Sequence, residues 1–246
     1  MIDSKKLLSI VLKNLKNLKS FSLIRIGDGE MIIINNIKDK MEFFCNKQIN
    51  RSITPLELKQ SQEWLEEAIK KATVLGKPTT SHLNKGVLWK TIDAYYSSLK
   101  LKNKLYSTIN IHLDFLESGD LFKLFSKIDN IVIVSPRDIK NKLINKYNIK
   151  NVTWYSLPAE QTYEVEKNTT INIFDRIKEI SKEIQSEDRS GQLLIFGAGP
   201  FGKILGTRFA EQGGVSLDLG CVFDLFVGKK TRGKGKGSKS FIKPYL

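Results

Sequence analysis

The sequence is poor in cysteine, because Cys45 and Cys221 are the only two among 246 residues. They form no Cys-x-x-Cys pair and are too few for a disulfide framework, so we expect the reducing cytoplasm as the compartment. Long apolar runs are also missing. No stretch approaches the roughly 20 apolar residues that a membrane span needs, and the N-terminus lacks the apolar core and small-residue cleavage site of a signal peptide. We therefore predict neither a secreted disulfide-rich domain nor a membrane-spanning segment.

Acidic residues are outnumbered in this chain. It has 40 Lys and Arg against 26 Asp and Glu, a formal net charge of +14, which favours anionic partners such as nucleotides, polyanions or acidic lipid surfaces. The basic residues are spread out and form no aromatic-basic recognition motif, so nucleic-acid binding is only a third hypothesis and no nucleic acid is expected. Because residues 228–246 are basic and free of acids, we predict one domain over 1–227 and a flexible tail over 228–246.

Predicted strands and helices alternate along most of the chain. Apolar runs at Ile131–Val134, Val152–Leu157 and Gln192–Phe196 are typical of buried parallel strands. Helices are predicted over residues 3–19, from Pro55 to about Leu75 with Gly76 and Pro78 ending it, and from Val87 to about Leu101. This alternation predicts an α/β fold, an open Rossmann-like sandwich with a mostly parallel sheet. The first helix is basic and amphipathic, which leaves open a peripheral contact with the inner face of a membrane.

The stretch Phe21–Glu30 reads as an apolar strand followed by two glycines and two carboxylates. Gly27 and Gly29 let the backbone turn and let a ligand come close. If Asp28 to Glu30 stays extended, the two carboxylates project to the same side and can hold one hard divalent cation. Asp-Gly is also a common turn dipeptide, so a plain hairpin turn is the competing interpretation.

Other polar residues follow predicted strands, where ligands of α/β proteins collect. Ser135 and Arg137 come directly after one strand and are candidates for binding a diphosphate, since the next helix offers free N–H groups. Glu160 follows the next strand and is a candidate catalytic base or a helix-capping residue.

The two histidines have open interpretations. His82 lies in a polar loop and could bind phosphate, act as a base, or be structural. Residues 109–114 alternate in strand fashion, which places Asn110, His112 and Asp114 on one face, either as a metal or acid/base group or as a solvent-facing stripe.

A literal G-x-G-x-x-G pattern, formed by Gly197, Gly199 and Gly202, follows a predicted strand, and Asp218 comes sixteen residues later. On its own this spacing fits a dinucleotide site. An NAD(P)-dependent oxidoreductase, or a non-catalytic nucleotide-binding module, is therefore the alternative function. The unit stands among the last strands, whereas dinucleotide-binding domains place it on the first.

The phrase Ser-Leu-Ile-Arg-Ile-Gly-Asp-Gly-Glu over residues 22–30 resembles the signature of the GT-D-fold glycosyltransferases, a family formerly listed as a domain of unknown function. The phrase Ser216-Leu-Asp218-Leu-Gly220 is similar to a second signature near that family's C-terminus. There the family carries a histidine where this chain has Cys221, so a role of that histidine does not carry over.

The resemblance implies a GT-D-type fold and a metal-dependent glycosyltransferase. In the family the Asp-x-Glu motif binds metal and sugar nucleotide, so Asp28 and Glu30 are expected to hold Mn²⁺ or Mg²⁺ and to be catalytic. The donor is expected to be a UDP-sugar and the acceptor a hydroxyl of a glycan or glycoconjugate.

On the same hypothesis, further residues receive roles around the donor. Arg25 and Arg137 add positive charge near the phosphates, and the glycines at 27, 29, 197 and 199 allow close approach. Either Asp218 or Glu160 serves as the base if the anomeric centre inverts.

Overall fold

The computed structural model describes residues 1–49, 51–84, 86–158 and 172–228. The strands are β1 (Phe21–Arg25), β2 (Val74–Lys77), β3 (Leu105–Thr108), β4 (Asn130–Ser135), β5 (Asn151–Ser156), β6 (Leu193–Phe196) and β7 (Val215–Asp218). The helices are α1 (Ser4–Lys16), α2 (Asp28–Ile34), α3 (Lys38–Ile49), α4 (Pro55–Lys71), α5 (Thr80–Leu83), α6 (Val87–Ser98), α7 (Ile111–Glu117), α8 (Asp120–Phe125), α9 (Lys140–Tyr147), α10 (Ile173–Gln185), α11 (Lys203–Glu211) and α12 (Val222–Phe226).

All seven strands run parallel in one sheet of order β3-β2-β1-β7-β6-β4-β5. The first strand of the chain therefore lies near the centre, with Leu23 opposite Val74 of β2 on one side and Leu217 of β7 on the other. Helices cover both faces of the sheet. This arrangement confirms the predicted open α/β sandwich.

The sheet separates two apolar cores. Because successive strand residues point to opposite faces, Leu193 and Ile195 of β6 belong to the core beneath α1, α7, α8, α9 and α12. Leu194 and Phe196 belong to the other core, beneath α2, α4, α6, α10 and α11. All four side chains of β6 are fully buried, which is why this strand reads as an unbroken apolar run.

Several helix ends follow directly from the sequence. Asp3 caps α1 by accepting a hydrogen bond from the N–H of Lys6 at 2.8 Å. Thr54 and Glu57 form a reciprocal capping box at the start of α4, with Pro55 in the first turn, and this arrangement satisfies N–H groups that have no partner inside the helix.

Strand β2 was missing from the prediction, which extended α4 to Leu75. The helix ends at Lys71, and residues 74–77 pair with β1 and β3. Gly76 lies inside the strand and does not end a helix. A side chain there would approach Cγ of Arg25 at 3.1 Å and the backbone of Ile109 at 3.3 Å. The glycine therefore allows Arg25 of β1 and Ile109, the residue after β3, to pack closely against β2.

The strand predicted over residues 109–114 is also wrong. Strand β3 ends at Thr108, and α7 begins at Ile111. A helix turns about 100° per residue, so His112 and Asp114 point in different directions. His112 is buried against Arg25, whereas Asp114 accepts a hydrogen bond from Oγ1 of Thr108.

Within the described ranges, no helix is both long and apolar enough to cross a membrane. The predicted base Glu160 and residues 229–246 of the predicted tail lie outside the described residues.

Candidate active site at the carboxyl edge of the sheet

One large cavity, of about 920 Å³, lies at the carboxyl edge of the sheet. Segments that follow five strands contribute to its walls: Gly27–Glu30 after β1, Ile109 and Asn110 after β3, Pro136 and Arg137 after β4, Gly197–Phe201 after β6, and Gly220 and Cys221 after β7. Ligands of open α/β sheets bind in this position. The cavity is therefore the candidate active site.

Asp28 and Glu30 occupy the first turn of α2, so the condition that this segment stays extended is not met. Both border the cavity, but they differ in exposure. Asp28 is exposed, and its Oδ1 accepts a hydrogen bond from the N–H of Gly29 at 3.0 Å. Glu30 is only 8 % exposed. Asp28 therefore presents its carboxylate to the cavity, whereas Glu30 turns back into the protein.

Glu30 links the turn after β1 to the start of α11. Its Oε2 accepts a hydrogen bond from the N–H of Gly27 at 2.8 Å, which fixes the turn after β1. Its Oε1 lies 3.3 Å from the ammonium nitrogen of Lys203, at the start of α11. A side chain at Gly29 would lie 2.9 Å from the ring of Phe44 on α3. The turn after β1 is thus held by a carboxylate and needs glycine for packing.

Beneath the cavity floor, Asp218 accepts hydrogen bonds from two cations. Arg25 donates from its backbone N–H to Oδ2 at 3.1 Å and from NH2 to Oδ1 at 3.0 Å, and Lys203 donates to Oδ2 at 2.5 Å. Asp218 is 1 % exposed. Glu30, Lys203, Asp218 and Arg25 form a continuous ionic chain, which we call the floor network.

Asp218 is poorly suited to be a catalytic base. Burial raises the pKa of this carboxyl, but the charges of Arg25 and Lys203 and their hydrogen bonds outweigh burial and hold the pKa below its ordinary value. A carboxylate with a lowered pKa and both oxygens occupied is a weak proton acceptor. Its place in the floor network is to position Arg25 and Lys203.

Lys203 is a site residue that the sequence analysis missed. It is 5 % exposed and borders the cavity. A lysine in the first turn of a helix is unfavourably placed with respect to the helix dipole, and this one directly follows the third glycine of the G-x-G-x-x-G pattern. That combination was the available signal that the lysine has carboxylate partners.

Arg25 also contacts Ile109 and His112 in the segment that follows β3. Its NH1 lies 2.8 Å from Nδ1 and 3.0 Å from Nε2 of His112, and it donates to the carbonyl oxygen of Ile109 at 3.3 Å. Sγ of Cys221 lies 3.7 Å from Nε2 of His112. Cys221 thus contacts a histidine at the cavity wall.

Ser135 and Arg137 differ in their access to the cavity. Ser135 is fully buried, and its Oγ accepts a hydrogen bond from the N–H of Arg137 at 3.0 Å. It supports the loop from inside, so the predicted contact of Ser135 with a ligand does not fit this placement. Arg137 borders the cavity, and its Nε donates to Oδ1 of Asp224 at 2.8 Å.

The glycine loop brings α11 close to the ends of β6 and β7. A side chain at Gly197 would meet the carbonyl oxygen of Gly220 at 2.6 Å, and Gly199 has φ of +58°, in the left-handed region. Gly197 and Gly199 both border the cavity. At Gly202 an added Cβ would lie 2.1 Å from Cβ of Ala198, so the loop closes on itself there.

Replacing Gly202 by alanine is expected to reduce the free energy of unfolding by about 1–3 kcal/mol, because the added methyl overlaps Ala198. Urea unfolding measures this loss. The double variant Ala198→Gly with Gly202→Ala removes the opposing methyl and should recover part of the stability. Equal stability of Gly202→Ala and the wild type would contradict the close packing of this loop.

The fold and the cavity define an α/β protein that binds its ligand at the carboxyl edge of a parallel sheet, between glycine turns and basic side chains. A family model described as a GT-D fold-like domain matches residues 2–226. The chain belongs to this GT-D-like family, and the match confirms the resemblance seen in its sequence. The prediction of a glycosyltransferase is thereby supported at the level of the family.

Solved structures with the same fold agree with this assignment. One is described as a new glycosyltransferase (DUF1792) from Streptococcus sanguinis, with 14% identity, a TM-score of 0.56, and coverage of 100% of this chain and 92% of the other. A second, reported under the statement that the highly conserved domain of unknown function 1792 has a distinct glycosyltransferase fold, has 14% identity, a TM-score of 0.58 and coverage of 100% and 89%. Among curated proteins, no sequence matches this chain.

Proposed function

We propose that this protein is a metal-dependent glycosyltransferase that moves a sugar from a nucleoside-diphosphate donor, a UDP-sugar, to a hydroxyl of a glycan or glycoconjugate. The observation that carries the proposal is the cavity itself, where the exposed Asp28 and the buried cations of the floor network meet two glycine turns. Such a site suits a diphosphate, which needs positive charge, close backbone approach and a divalent cation.

The cationic side chains of the floor network support binding of the diphosphate. Arg25 and Lys203 are fixed by Asp218 and Glu30, so their positions do not have to be reorganised when charge develops on the leaving group. Lys203 also stands at the start of α11, where N–H groups without helical partners favour an anion. The leaving diphosphate would be stabilised by these preorganised donors.

The donor set at Asp28 fits Mg²⁺ or Mn²⁺. Both cations prefer carboxylate oxygens, and Mg²⁺ is commonly held by one or two carboxylates together with water and substrate phosphates. Within the described ranges, no group of three or more His, Cys, Asp or Glu side chains could hold a metal. Asp28 is the residue that would ligate the cation, with Glu30 beside it already engaged by Gly27 and Lys203. The bound cation would offset charge on the diphosphate.

The alternative, an NAD(P) site at the glycine loop, is disfavoured by Asp218. In a dinucleotide site the acidic residue on the following strand accepts the ribose hydroxyls. Here that position is 1 % exposed, and its carboxylate is occupied by Arg25 and Lys203. A ribose would have to displace a buried ion pair.

A thermal-shift comparison of UDP and NAD⁺, each with and without Mn²⁺, tests the proposed function. UDP is expected to raise the melting temperature only when Mn²⁺ is present, because a ligand that binds the folded state stabilises it by mass action. NAD⁺ should have no effect in either condition. Stabilisation by NAD⁺ without metal, or no response to UDP in any condition, would overturn the proposal.

A further inference from the structure

Trp89 presents an aromatic ring to the cavity that none of the roles described above uses. It lies on α6, is half-buried, and borders the cavity together with Leu88 and Ile109. Its Cη2 lies 3.7 Å from the position that a Cβ at Gly27 would take. The ring is thus adjacent to the turn that is proposed to receive the diphosphate.

The ring of Trp89 is supported from one side by His82. The two ring centroids are 4.6 Å apart, with an angle of 52° between the planes. His82 is itself held by a 2.7 Å contact between its Nδ1 and Oγ1 of Thr79, the residue before α5. Because Thr79 holds His82 in place, His82 in turn restrains the ring of Trp89. An aromatic ring restrained in this way binds a second ring with little loss of side-chain entropy.

The cavity offers different partners beside Trp89 and after β4. Leu88 and Ile109 add apolar surface beside Trp89, and the ion pair of Arg137 and Asp224 lies at the wall after β4, next to Pro136. A sugar ring needs several polar partners for its hydroxyls, but a nucleobase needs a flat apolar surface. The flat ring of Trp89 therefore favours the base at that place, and the charged pair after β4 favours the transferred sugar there.

We propose that Trp89 is the stacking platform for the nucleobase of the donor, held in place by His82. This inference rests on the proposed function, because it assumes a nucleoside diphosphate in the cavity. It orients the donor along the carboxyl edge of the sheet, with the base toward α6, the diphosphate at Gly27 and Lys203, and the sugar toward Arg137.

The test compares UDP with inorganic pyrophosphate, which has the diphosphate but no base. Affinities in the presence of Mn²⁺ are measured by calorimetry for the wild type, Trp89→Ala and Trp89→Phe. Loss of stacking by alanine substitution corresponds to about a tenfold or greater loss of UDP affinity. Trp89→Ala is expected to show this loss and to keep the pyrophosphate affinity, and Trp89→Phe should fall between it and the wild type.

Tryptophan fluorescence gives a second readout. The chain has three tryptophans: Trp64 is buried in the core, and Trp154 on β5 donates its Nε1–H to the carbonyl oxygen of Ser135. UDP should quench the wild type and the matched control Trp154→Phe. The quenching should disappear in Trp89→Phe even though that variant still binds UDP.

The possible failures are distinct. Unchanged UDP affinity in Trp89→Ala would overturn the proposed stacking of Trp89 on the nucleobase. The ring would then serve acceptor binding or packing. Equal loss of UDP and pyrophosphate affinity would also overturn it, because Trp89 would then shape the diphosphate site. If the wild type binds neither compound, the proposed function fails and the platform fails with it.

Discussion

Asparagine in place of Asp218 is expected to lower the free energy of unfolding by about 3–5 kcal/mol, the range found when one partner of a buried ion pair is removed. The substitution keeps the shape of the side chain but leaves the guanidinium of Arg25 and the ammonium of Lys203 without their shared carboxylate. Both cations are largely buried, so water compensates little. Urea unfolding at neutral pH measures the effect.

Asp218→Asn is also expected to change how the free energy of unfolding depends on pH. The pKa of Asp218 is lower in the folded state than its ordinary value of 3.8. The carboxylate therefore contributes stability above the unfolded pKa, and this contribution is lost as the pH falls below about 4 toward the folded pKa. Unfolding measured from pH 7 to pH 2 should show a shallower acid loss in Asp218→Asn than in the wild type.

Asp129 offers the matched control. It pairs with Lys150 at 3.0 Å, but both side chains are more than half exposed. Asp129→Asn should change the unfolding free energy by less than about 1 kcal/mol. If Asp218→Asn were as mild as this surface variant, the floor network would not be the support of the site.

Asparagine in place of Asp28 is expected to reduce sugar transfer, or donor hydrolysis where no acceptor is known, by about 10²–10³-fold. This is the usual range for losing one electrostatic stabiliser of the developing charge, here the cation that Asp28 would hold. Because Asp28 is exposed and its Oδ1 accepts a hydrogen bond only from its neighbour Gly29 among the described residues, stability should be nearly unchanged. Initial rates with a UDP-sugar over a range of Mn²⁺ concentrations measure the loss.

Glu30→Gln is expected to differ from Asp28→Asn in its effect on stability. It removes the charge that faces Lys203 and should lower stability as well as rate. Asp129→Asn again serves as the neutral control, since Asp129 precedes β4 at the amino edge of the sheet, opposite the cavity. Full activity of a folded Asp28→Asn protein would refute the assignment of Asp28 to the donor site.

Much of the fold could be predicted because its inner strands, such as β4 and β6, are buried on both faces. The runs at β4 and β6 carry unbroken apolar residues, and the caps of α1 and α4 are local, so neither depends on knowing the tertiary structure. Strand β2 was not predicted because it is only four residues long and contains a glycine. That glycine is needed by Arg25 of another strand, a requirement that no local pattern expresses.

The sequence named several residues of the candidate site, but it did not predict how they are arranged. The phrase over residues 22–30 identified Asp28 and Glu30, but a helix starts at Asp28 and sends the two carboxylates to different partners. The role of Asp218 depends on Arg25, which is 193 positions away in sequence. Such a long-range ion pair could not be inferred from spacing. Lys203 was missed although it directly follows the glycine pattern, because its partners Glu30 and Asp218 come from two other segments of the chain.

The position of β7 between β1 and β6 has a consequence for the synthesis of the protein. A ribosome releases β1 to β5 well before residues 215–218, so during translation the inner edge of β1 has no neighbour and Arg25 has no carboxylate to bind. The two parts of the sheet join only when the last strand inserts between β1 and β6. A chain that terminates before β7 therefore keeps the Asp28 and Glu30 motif but lacks the carboxylate that holds Arg25 and Lys203.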